Sequence, residues 1–62
     1  MPMITVEMYP GRTPEQKQAL AARLTEAFME TCGSPGQSPD GVWVVIREVP
    51  RENWAIGGKM HA

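Results

Sequence analysis

The chain is short of the groups that most often build a catalytic or metal site. It has one cysteine, Cys32, and one histidine, His61. A single cysteine excludes a disulfide within the chain. One cysteine and one histidine are too few for a metal centre built on nitrogen and sulfur ligands. Nucleophilic triads are excluded on the same ground, and His61 falls in a tail expected to fray. Cationic runs are missing too: six Lys and Arg stand against seven Asp and Glu, for a net charge of −1. Nucleic acid therefore has no electrostatic footprint to bind. No apolar stretch is long enough to span a membrane, and no signal segment with an apolar centre is present. A soluble cytoplasmic protein with no membrane partner is expected. Repeats and low-complexity segments are absent. The one glycine of Gly11-Arg12-Thr13-Pro14 does not make a phosphate-cradling loop.

Length is also lacking. At 62 residues the chain forms one domain, 1–62. A chain this short buries only about 60% of its unfolded surface. Small domains compensate with disulfides, metals or oligomerisation. The first two are disfavoured here, so oligomerisation is left. The 42% hydrophobic content agrees.

What is present reads as strand, helix, strand and turn. The first strand spans about 3–9. Ile4, Val6 and Met8 alternate with Thr5, Glu7 and Tyr9, the pattern of a half-buried strand. Pro2 precedes it, where a proline costs no ladder bond. Thr13-Pro14-Glu15-Gln16 starts a helix: Thr13 caps, Pro14 fits the first position and Gln16 completes a capping box. Leu20, Ala21, Leu24, Ala27, Phe28 and Thr31 form its apolar stripe. The helix runs from about 14 to 32 and stops at Gly33, with Pro35 just beyond. Ser34 to Gly41 is a loop. The run from Val42 to Val49 is nearly all apolar and β-branched, which predicts a second strand covered on both faces. Strand, long helix, strand is an α/β arrangement, a β-α-β unit with parallel strands and a right-handed crossover. Pro50 ends the second strand. Residues 51–62 form a hairpin or tail, with Gly57-Gly58 as the turn.

Two residues carry the chemistry. Methionine before proline is commonly removed, and loss of Met1 would leave Pro2 with a free secondary amine. An α-amino group titrates near ~8 in peptides, and desolvation or a nearby arginine lowers that value toward neutrality. Such a group is poised as a general base. Arg12 stands where the first strand gives way to the helix, and its guanidinium can hold a carboxylate with two parallel bonds. Both residues also have plain readings, a stiff terminus and a solvated arginine. Cys32, near a helix C-terminus, reads as a small buried residue rather than a nucleophile. Trp43 and Trp54 read as core or interface anchors.

Taken together these residues resemble the 4-oxalocrotonate tautomerase family, the small tautomerases with an amino-terminal proline. The resemblance rests on Met1-Pro2 with its short strand, Gly11-Arg12 with Thr13 to Lys17, and the amphipathic helix. It continues through Val42 to Glu48 and the motif Asn53-Trp54-Ala55-Ile56-Gly57-Gly58, and it covers nearly the whole chain. It implies a β-α-β fold with a small C-terminal hairpin. It also implies a homo-oligomer, with a hexamer favoured over a trimer or dimer, and active sites where subunits meet. The implied activity is cofactor-independent enol–keto isomerisation of a small unsaturated 2-hydroxy or 2-oxo carboxylate. On that pattern Pro2 is the base, Arg12 grips the substrate carboxylate, and Trp54 makes the pocket apolar.

The chain departs from the family pattern at Trp43, which stands where a second arginine is expected. Loss of such a donor costs about 10²–10³ in rate. Arg47, four residues on, and Arg51 are the replacements to consider. The loop is longer and the tail shorter than the pattern. A monocarboxylate enol with an aromatic or apolar tail suits Trp43 and Trp54. Two other readings stay open: a hydratase or dehalogenase of the same superfamily, and a weak or inactive oligomer that binds small carboxylates. Glu7, Glu48 and Glu52 are the carboxylates to weigh for water activation, Glu7 and Glu48 reading first as solvated or ion-paired strand residues.

Overall fold

Thr13 and Gln16 set the start of the one long element. In the computed structural model, which describes residues 2–61, the Thr13 hydroxyl accepts from the Gln16 N–H at 3.1 Å. The Gln16 side chain accepts from the Thr13 N–H at 2.9 Å. This reciprocal pair satisfies two N–H groups that a helix start leaves open. Helix α1 then spans Pro14–Cys32. Among the described residues no helix is long and apolar enough to cross a membrane.

Strand β1 is Met3–Met8 and strand β2 is Trp43–Glu48. They pair directly and in parallel, Met3 opposite Trp43 and Met8 opposite Glu48. The ladder extends one bond at each end. Trp43 N–H donates to the Pro2 carbonyl at 3.0 Å, and Val49 N–H to the Met8 carbonyl at 2.8 Å. Strands β3, Ala55–Ile56, and β4, Lys59–Met60, form an antiparallel hairpin. Its two-residue loop has φ of 60° at Gly57 and 83° at Gly58. A type I′ turn requires positive φ at both positions, and glycine adopts it without steric cost. Short 3₁₀ turns at Pro39–Gly41 and Arg51–Asn53 lead into β2 and the hairpin.

The layers are one helix on one face of a two-stranded sheet, in a slab of 46 × 27 × 15 Å. Lys17 on the helix bonds Glu48 at the end of β2, at 3.2 Å. Among the described residues none is fully buried.

Several expectations change. Tyr9 lies past the end of β1 and does not continue the Thr5 and Glu7 face; the ladder closes at Met8. Ala27 and Thr31 are exposed, and Thr25 and Met29 are half-buried instead. The narrow sheet reaches only one side of the expected stripe. Lys17 is half-buried, its ammonium reaching Glu48. Strand β2 is covered on one face only: Trp43 is 51% and Val45 38% exposed. A β-α-β unit with one helix has nothing to lay on its second sheet face. Cys32 is exposed. The removal of Met1 falls outside the described residues, as does Ala62.

Candidate active site

Arg12 is set by the turn between β1 and α1. Gly11 has a φ of 123°, a conformation that L side chains rarely adopt. The chain therefore swings from the strand into the helix cap with Arg12 exposed between them. From the other side the C-terminal hairpin comes up to the same strand end. Trp54 is held there by its indole N–H, which donates to the Val49 carbonyl at 2.9 Å.

The two segments enclose an open pocket of about 410 Å³, lined by Met8, Tyr9, Arg12, Trp54, Ile56 and His61. Tyr9 is its hub. Its ring meets the Trp54 ring edge-on, with centroids 5.2 Å apart, a favoured aromatic geometry. The Arg51 guanidinium lies over Tyr9 at 5.0 Å from the ring centre, within cation–π range. The Tyr9 hydroxyl hydrogen-bonds His61 Nδ1. His61 is tied to the hairpin, its backbone N–H also donating to the Trp54 carbonyl at 2.9 Å. A second, smaller hollow of about 200 Å³ lies on the helix side of Arg12, lined by Met8, Gln16, Lys17 and Leu20 as well.

This arrangement can take an anion. No acidic side chain lines the larger pocket, while Arg12 reaches into it from a mostly apolar wall. Low-polarity surroundings strengthen a guanidinium–carboxylate pair.

Pro2 and Trp43 are elsewhere. They neighbour each other across the start of the sheet, joined by the Trp43 N–H to Pro2 carbonyl bond. Strand β1 separates them from Arg12 by roughly 17 Å or more, at ~3.3 Å per residue. One chain thus brings Arg12 and Trp54 together and keeps Pro2 apart from both. Arg47 stands opposite Glu7 on the open face of the sheet, away from the pocket. Arg51 reaches the pocket only through Tyr9. Among the weighed carboxylates, Glu48 is engaged by Lys17, and none of the three lines the Arg12 pocket.

A family model for tautomerase enzymes matches residues 2–62. The chain belongs to the tautomerase family. Relatives in that family are 2-hydroxymuconate tautomerases, an isomerase activity, and this chain is an enzyme of that class. A probable tautomerase of Bacillus cereus is 46% identical over 59 residues, covering 95% of this chain and 92% of the relative. The 2-hydroxymuconate tautomerase of Bacillus subtilis strain 168 is 42% identical, over 95% of this chain and 90% of its own length. The crystal structure of YwhB, a homologue of 4-oxalocrotonate tautomerase, superposes with a TM-score of 0.83 at 41% identity, covering 95% of this chain and 92% of that one. The tautomerase fold, a β-α-β unit with a C-terminal antiparallel hairpin, is the fold described above.

Reading the tautomerase chain as a sequence missed Tyr9 and His61. Each is the only residue of its kind, and that was the one local signal available. Their meeting across 52 positions is a property of the folded hairpin.

Proposed function

We propose that the protein is a cofactor-independent enol–keto tautomerase of small unsaturated 2-hydroxy carboxylates, with Pro2 as general base after loss of Met1. Arg12 binds the substrate carboxylate, and Trp54 supplies the apolar wall. The observation that carries this reading is the shared pocket of Arg12 and Trp54, open to solvent and free of acidic lining. Its substrate class draws on the 2-hydroxymuconate named for the Bacillus subtilis relative.

In the proposed step the Pro2 nitrogen takes the proton of the enol hydroxyl. The oxygen's electron pair forms the carbonyl, the double bonds shift along the chain, and the same nitrogen returns the proton to the distant carbon. One O–H bond breaks and one C–H bond forms, with no net proton change. Pro2 of one subunit works beside Arg12 and Trp54 of another, because within one chain β1 holds Pro2 at one end of the strand and Arg12 and Trp54 at the other. The active form is accordingly a homo-oligomer, a hexamer in the favoured arrangement.

The test joins a mass with a rate. Protein from its native host is expected to have the mass of a chain beginning at Pro2, and to ketonise 2-hydroxymuconate. Pro2→Ala, which keeps an α-amine but loses the ring, is expected to lower kcat/KM by about 10²–10⁴, the usual worth of a positioned general base. Retained Met1, or a Pro2→Ala enzyme with unchanged rates, overturns the assignment.

A further inference from the structure

The Arg12 pocket contains a polar pair that carboxylate binding by Arg12 and shielding by Trp54 leave without a task. Tyr9 follows β1 and His61 follows β4, and both line the pocket. Their rings stack at 23°, with centroids 5.8 Å apart, and the Tyr9 hydroxyl meets His61 Nδ1. Both rings have further contacts. The hairpin bond from the His61 N–H to the Trp54 carbonyl anchors one, and the edge of Trp54 and the Arg51 guanidinium hold the other.

A phenol O–H can donate to a neutral imidazole or accept from its N–H. With Nδ1 accepting that bond, the ring carries its own proton on Nε2. In that arrangement Tyr9 favours the tautomer in which Nε2–H is a donor. A 2-oxo or 2-hydroxy carboxylate needs such a donor for the oxygen at C2, since Arg12 is taken by the carboxylate. Arg47, on the open sheet face, does not line this pocket, and Trp43 has no charge to offer.

We infer that His61 is the residue that selects 2-oxygenated acids, donating from Nε2 to the oxygen at C2, and that Tyr9 is the positioning residue that sets its tautomer. This rests on the reading of the Arg12 pocket as the carboxylate site. The ligand class is a short 2-oxo carboxylate, told from the same acid without the oxo group by one hydrogen bond.

The experiment measures binding of 2-oxopentanoate and of pentanoate to the full chain by calorimetry, in the parent protein and three variants. The parent is expected to prefer the oxo acid. His61→Phe keeps a ring against Tyr9 and removes both nitrogens. It is expected to cut that preference roughly three- to tenfold, the worth of one neutral hydrogen bond, while pentanoate binding stays within about twofold. Tyr9→Phe keeps the Trp54 and Arg51 contacts and is expected to cut the preference less, because the imidazole can then adopt either tautomer. A merely structural role would weaken both acids together. An unchanged preference in both variants overturns the inference and leaves the tautomerase reading standing, as does a parent with no preference for the oxo acid. Arg12→Ala is expected to weaken both acids equally. If it weakens neither, the carboxylate site itself is wrong and both readings fall.

Discussion

Arg12 shows what a residue can and cannot announce. Its place at the junction of strand and helix is written locally, in Gly11 before it and the Thr13 cap after it. Its charge and its forked donors make carboxylate binding the natural use. Hydrogen bonds to charged groups contribute about 1.5–3 kcal/mol each, so Arg12→Ala is expected to lower kcat/KM for 2-hydroxymuconate by roughly 10- to 150-fold. Steady-state kinetics check this, and a change under about twofold removes Arg12 from the site. Arg12→Lys keeps the charge without the fork and should fall between. Trp54 was equally legible, through its motif. Tyr9 was legible only as a strand residue, and His61 only as a tail residue. What gives them a role is each other, and neither carries a mark of its partner.

Helix α1 is the element whose limits were plain from the residues alone, because its signals act within a turn of the backbone. The capping box and Pro14 set one end and Gly33 the other, and the observed span is Pro14–Cys32. The cap also supports the site, since Thr13 follows Arg12 directly. Thr13→Ala removes the bond to the Gln16 N–H and is expected to cost about 1 kcal/mol. Denaturant unfolding at a fixed protein concentration reads that loss, and Thr13→Ser should restore most of it. The strands were less sharply bounded. Both ends of β1 and β2 depend on which residue finds a partner across the ladder, so Tyr9, Val42 and Val49 were expected inside strands that leave them out. Coverage of β2 was misjudged for a related reason. A run of β-branched residues announces burial, but not whether the covering surface comes from the same chain.

At the scale of the molecule the outstanding fact is a domain with no fully buried residue among those described. Met3 at 63%, Trp43 at 51% and Val45 at 38% exposed lie on the sheet face away from the helix, and Ile56 at 71% adds to the apolar surface. Exposed apolar surface on this scale marks an interaction site. For the homo-oligomer proposed above, Tm is expected to rise with protein concentration. Val45→Asp tests the dependence without touching Pro2, Arg12 or Trp54. It places a charge on the open sheet face and is expected to yield a monomer by analytical ultracentrifugation, with activity reduced more than 100-fold, about the ~10² or more attributed to a positioned base. A monomeric Val45→Asp protein with full activity would show that one chain suffices.

The residues alone determined the strand–helix–strand order, the helix limits, the glycine turn and the candidates Pro2, Arg12 and Trp54. Each of these depends on backbone preferences and side-chain chemistry within a few positions. Tertiary structure decided which of them meet. The parallel register places Pro2 beside Trp43 and leaves Arg12 at the far end of the strand. The hairpin's return brings Trp54 and His61 to Arg12 and Tyr9. Such meetings follow from the direction of a six-residue strand and a contact across 52 positions, and no local pattern encodes either one.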